Sequence, residues 1–128
     1  MSNEKFGKYR ALVIDNQDPE KRGRIRVKCP AIYRESLSPW CEACLPFVSV
    51  SSYDIQIPLP NDQVWVEFEG GNVNKPIYTG GWITKSTPVP NPNNRMTKGS
   101  LNLSGSLSIS DSLSVGGIPV ALITDIPK

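Results

Sequence analysis

The chain has 128 residues, with 14 Lys and Arg against 12 Asp and Glu, no histidine, 10 glycines and 12 prolines. That length suits one modest domain with an appendage and excludes a large multidomain catalyst, and a net charge of +2 is far from the basic excess of a dedicated nucleic-acid binder. Without histidine the ordinary Ser/His/Asp, Cys/His and His-zinc arrangements are excluded, so the expectation is a protein that is not an enzyme and holds no cofactor and no metal.

Met1 to Lys5 has no apolar stretch for a signal peptide, and the longest apolar runs, Ala11 to Ile14 and Val120 to Ile123, fall far short of the ~20 residues that cross a bilayer. A soluble chain made in the cytoplasm is expected. Tyr9 to Ile14 reads as a first strand and runs into Asp15 to Gly23, a stretch of turn-forming residues that predicts a long hairpin loop. Arg24 to Cys29 then alternates strictly, with Ile25, Val27 and Cys29 on one face and Arg24, Arg26 and Lys28 on the other, the period of a half-buried strand that Pro30 ends.

Trp40 to Val48 and Gln63 to Glu69 read the same way, the second with Val64, Val66 and Phe68 inward. Gly70-Gly71-Asn72 closes that strand with residues that accept positive φ. Ile77 to Thr79 is the last strand of the set, and the following Gly80-Gly81 suggests a bulge or a close backbone approach. Short strands and no convincing helix predict an all-β domain, most economically a five-stranded OB-type barrel over residues 1–85.

Residues 86–98, rich in proline and asparagine and without a hydrophobic pattern, read as a linker. Beyond it, over residues 99–128, lies the clearest pattern in the chain. Three six-residue units starting at Leu101, Leu107 and Leu113 follow one another without a gap, each with aliphatics at its first and third places: Leu101 and Leu103, Leu107 and Ile109, Leu113 and Val115. The fifth places, Gly105, Asp111 and Gly117, permit bends between short strands.

Burying six aliphatics does not offset the entropy of ordering residues 101–118, so the segment cannot stand alone. A single-chain solenoid of this length makes only about one coil, too few to stack. Three chains intertwined around one axis bury the same residues against each other, so the hexads predict a homotrimeric β-helix stem with these six aliphatics as its core. Val120, Leu122 and Ile123 then gather near the axis at its end, where they either close the stem or seat a small tip protein.

Taken in order, Tyr9 to Pro19, Gly23 to Val27, Trp40 with Leu45-Pro46, Ile57 to Asn72 and Lys75 to Gly80 resemble the OB-fold domain of contractile-tail spike proteins. That family includes the central spike of phage baseplates and the valine-glycine repeat proteins of type VI secretion. The resemblance covers about residues 8 to 83. It implies an OB collar ahead of an intertwined trimeric β-helix, a place in the virion tail baseplate, and help in piercing the target cell envelope when the sheath contracts. It also implies a separate hub protein on the barrel.

The chain departs from some relatives in having no room for a lysozyme domain between barrel and stem and no histidines for an iron-binding tip. Six-residue units also replace an eight-residue repeat.

Three other patterns compete with bland readings. Cys41 and Cys44 have the spacing of a redox or zinc pair, but on a strand they point to opposite faces, and with Cys29 they are the only thiols, so buried or semi-buried reduced cysteines are expected. Arg24, Arg26 and Lys28 with Tyr33, Trp40 and Trp65 could form the grip of an OB-fold module for single-stranded nucleic acid or oligosaccharide, the alternative function. A solvated strand face over core aromatics is favoured, with no nucleic acid expected. Asp15, Asp18 and Glu20 lack the ligand spacing of a calcium loop and read as a turn.

Overall fold

A computed structural model of the chain describes residues 3–89 and 96–120. The chain divides into two compact units, Met1–Pro90 and Asn91–Lys128. The linker expected over 86–98 spans that division, and its residues 90–95 lie outside the described residues.

The first unit is a curled five-stranded sheet. Strands β1 (Tyr9–Asp15), β2 (Arg26–Lys28), β3 (Glu42–Ala43), β4 (Gln63–Phe68) and β5 (Pro76–Tyr78) run in the spatial order β2-β1-β4-β5-β3. All neighbours are antiparallel except β3 and β5. Alternation decides which residues face inward: Ala11 and Val13 of β1, Val27 of β2, and Val64, Val66 and Phe68 of β4 form one core with Ile25, Cys29, Cys41 and Tyr78. Ile25, Val27, Cys29, Val64, Val66 and Phe68 are the inward residues that the period-two pattern predicts, and Ala11, Val13, Cys41 and Tyr78 join them.

The two outer strands of the sheet meet at one point. Just ahead of β2 and β3, Ile25 and Cys41 exchange both backbone hydrogen bonds, at 3.2 and 2.7 Å. The stretch leading to Cys41 follows β2 antiparallel, with Lys28 opposite Leu37, and buried Ser38 replaces a backbone acceptor with its own side chain: Val27 N–H donates to Ser38 Oγ at 2.9 Å. The exposed edge that a curled sheet would leave is thereby paired, which is the arrangement of an OB domain.

Three expectations need correction. A single helical turn, α1 (Pro30–Tyr33), follows β2 where none was expected. Pro30 ends the strand for want of an N–H, but its fixed φ also suits the first position of a helix. The strand expected from Trp40 to Val48 pairs with the sheet only from Cys41 to Cys44, Cys41 with Ile25 and the next three residues with β5, because Pro46 has no N–H to continue the ladder and the chain leaves the sheet. Finally, Cys44 is exposed, whereas Cys29 and Cys41 are buried.

The glycines act as expected. Gly70 and Gly71 turn the chain after β4 with φ of 58° and 78°. A Cβ on Gly81 would lie 2.9 Å from the Gln63 carbonyl oxygen, so the backbones there are too close for any other residue.

In the second unit the described ladder is a small hairpin, β6 (Ser114–Val115) against β7 (Ile118–Pro119), joined by Gly116-Gly117 with φ of 57° and 83°. Two consecutive positive φ values make the tight reversal that a Gly-Gly pair allows. The third hexad therefore folds back on itself instead of extending the first two. Leu101 to Ile109 carry no strand pairing within the single chain.

Candidate functional site

The loop between β1 and β2 is built around Asp18. Its carboxylate accepts backbone N–H bonds from Glu20, Arg22 and Arg24, and a forked pair from the Arg24 side chain, Nε to Oδ2 at 2.9 Å and Nη2 to Oδ1 at 2.8 Å. Arg24 holds the Asp18 carboxyl well below the usual carboxylate range, and Asp18 in turn raises Arg24. The acidic cluster is a turn, as expected.

Arg24 is not solvated, however: its side chain is 13% exposed and that of Asp18 only 3%. The stripe expected to sit in water thus carries an internal ion pair, because a forked guanidinium satisfies a buried carboxylate that five donors converge on.

The stripe has little left for a nucleic acid. Arg24 and Arg26 both lie over the Trp40 ring, at 5.6 and 5.9 Å, and Arg26 Nε donates to the Ser38 carbonyl at 3.0 Å. Tyr33 packs edge-on against Phe68 and donates its hydroxyl to the Val73 carbonyl at 2.6 Å. Two of the three expected stacking rings, Tyr33 and Trp40, are thus engaged within the protein, while Trp65 lies on the outer face of the sheet.

The cysteines face different surroundings. Burial pushes the Cys41 thiol up to about 11 and raises Cys29 as well, so neither is a nucleophile near neutral pH. Cys44 lies on the other side of the strand, as residues three apart must. Among the described residues no cluster of three His, Cys, Asp or Glu side chains is arranged to hold a metal ion.

Two surfaces of the first unit were not singled out in the sequence. On the outer face of the sheet, Arg10 of β1 pairs across to Trp65 of β4, and its guanidinium lies 4.9 Å from the Trp65 ring and 4.5 Å from that of Trp82. Leu12, Lys28, Pro30 and Gln63 complete a shallow cleft beside them. The second surface is the long stretch between β3 and β4, where Phe47, Val48, Val50, Tyr53, Ile57 and Leu59 are exposed. The first needs the strand register to be found; the second announces itself as an apolar run whose single charge over residues 45–60 is Asp54.

In the second unit the hexad aliphatics Leu101, Leu103, Leu107, Ile109, Leu113 and Val115 are all exposed in the single chain, Leu101 by 78%. Val120 is exposed too, and its N–H donates to the Leu113 carbonyl at 2.8 Å. Leu122 and Ile123, the other expected tip residues, lie outside the described residues.

The family described as the type VI secretion system/phage-baseplate injector OB domain matches residues 9–82, more than half of the chain and all five strands of the sheet. The chain belongs to that family. No curated protein matches it. As an injector OB domain it is a structural component of a phage baseplate or a type VI secretion system, with its place in the tail of a virion or injection machine. Within this injector OB domain the Ile25–Cys41 pair joins the two outer strands and the Asp18–Arg24 pair organises the loop between β1 and β2.

Proposed function

We propose that the chain is the trimeric central spike of a contractile tail baseplate, an OB collar carrying a short intertwined β-stem that helps to pierce the target cell envelope when the sheath contracts. The observation that carries this reading is the set of six aliphatics in hexad register, each exposed in the single chain. An injector OB domain joined to a segment that has apolar residues in strict register and no core of its own calls for further copies to supply that core. A stem built this way is cross-bonded between chains, and its stiffness transmits the force of contraction.

The same reading gives the barrel a separate hub protein as its socket. It also gives Val120, Leu122 and Ile123 the task of closing the stem or seating a small tip protein. Light scattering on the full chain at micromolar concentration tests the core of the proposal. Three times the chain mass is expected, and a clean monomer with the stem intact would refute it.

A further inference from the structure

The two surfaces left over by the OB core complement each other in charge, and each exposes apolar side chains. On the sheet face, Arg10 lies against two indole rings, and neither it nor Lys28 has a hydrogen-bonded or ionic side-chain partner among the described residues. The rings cover the apolar faces of the guanidinium and leave its N–H edge available for an anion. On the loop, Phe47 is 88% exposed, Val50 fully so, and Asp54 has no ionic or hydrogen-bonded partner among the described residues.

The loop is not loose. Val48 and Tyr53 are bridged, Ser49 N–H donates to Ser52 at 2.8 Å, Ile55 rests against Gly23, and Asn16 Nδ2 donates to the Pro58 carbonyl at 3.0 Å. It is a braced hairpin that presents apolar side chains and one carboxylate.

A closed threefold ring requires each copy to carry two different patches that fit one another, because rotation brings one face of a copy against another face of the next. The chain has such a pair, with no residue in common: an aromatic face bearing two unpaired cations and an apolar hairpin bearing one unpaired anion. Resting on the trimeric reading above, we propose that the hairpin of residues 45–60 in one copy docks on the Arg10–Trp65–Trp82 face of the next, with Asp54 set against Arg10 and Lys28. The occupant of each surface is thus a second copy of this chain, and the collar as well as the stem holds the trimer together.

Zero-length crosslinking tests the contact. Full-length chains with light and heavy isotopes are refolded together and treated with a water-soluble carbodiimide, which joins a carboxylate to an amine only when the two touch. An Asp54–Lys28 peptide joining a light copy to a heavy one is expected. It should be lost in Asp54→Asn, and also in Phe47→Glu combined with Val50→Glu, two exposed positions with no part in the core, while the scattering mass stays that of the assembled chain.

A trimer that yields no mixed Asp54–Lys28 peptide, or one that keeps it in the Phe47→Glu, Val50→Glu variant, overturns the proposed contact and leaves the spike reading intact. A chain that scatters as a monomer before crosslinking overturns the spike reading itself.

Discussion

Arg24 grips Asp18 through two parallel hydrogen bonds of 2.8 and 2.9 Å, and the same carboxylate caps three backbone N–H groups of its own loop. One side chain thus fixes the start of the path that leads through Ile25 to the seam of the sheet. Because the folded protein holds Asp18 below its ordinary value of 3.8, the stability it contributes is fully present above that value and is lost as the pH falls below it. Asp18→Asn should lower the melting temperature at pH 6 and flatten the acid limb below pH ~4. Thermal melts of both proteins from pH 6 down to pH ~2 check this, and a variant as acid-sensitive as the parent would count against the assignment.

The seam itself depends on Ser38. Its hydroxyl accepts the Val27 N–H at 2.9 Å and donates to the Pro39 carbonyl at 2.7 Å, in a site closed to water. Ser38→Ala leaves the Val27 N–H without its acceptor and should cost about 1–3 kcal/mol. Urea unfolding should show the midpoint move with the slope unchanged.

Much of this domain is legible in the sequence, and the parts that are not share a cause. Ile25, Val27 and Cys29, or Val64, Val66 and Phe68, declare their faces because alternation is a local property of the chain. Pro30 also carries a local signal, but an ambiguous one, since it both stops a strand and starts a helix. The Arg24 ion pair is not legible because its partner is six residues away on a folded loop, and Arg10 with Trp82 is not because the two meet only once β1, β4 and the chain after β5 are in register. Trp40 to Val48 reads as one strand because apolar content survives where pairing does not. Pro46 marks the difference.

Gly81 tests the close approach by sterics alone. A methyl group there would stand 2.9 Å from the Gln63 carbonyl oxygen, a backbone atom that cannot swing aside. Gly81→Ala should destabilise the sheet by about 1–3 kcal/mol even though the position is exposed. Gly99→Ala, with nothing within 4 Å in the second unit, should leave the melting of the OB domain unchanged.

The three thiols should separate by reactivity. Cys44 is exposed, whereas Cys29 and Cys41 are buried and burial raises the pKa of both thiols, that of Cys41 to about 11, so their ionisation is suppressed. A disulfide reagent at pH 8 should modify Cys44 alone in the folded chain and all three after unfolding. Fast reaction of Cys41 without denaturant would mean that the seam opens readily.

The stem prediction follows from where Leu107 and Ile109 lie. Both are exposed in the single chain, at 68% and 41%, and both belong to the second compact unit, outside the residues of the OB domain. In an intertwined trimer the same two positions face the axis, and Leu107→Asp with Ile109→Asp would bring six carboxylates together there. Each is costly to bury without a partner, and their mutual repulsion adds to that cost. The double variant should therefore scatter as a smaller species, or fray in the stem, while keeping the near-ultraviolet signature of the tryptophan pair Trp65 and Trp82, whose rings lie 4.7 Å apart on the sheet. Loss of that signature together with the mass change would show that the OB domain needs the stem to fold. Retention of the full trimer mass by the variant would place the trimer contacts elsewhere and sink the hexad core as the source of assembly.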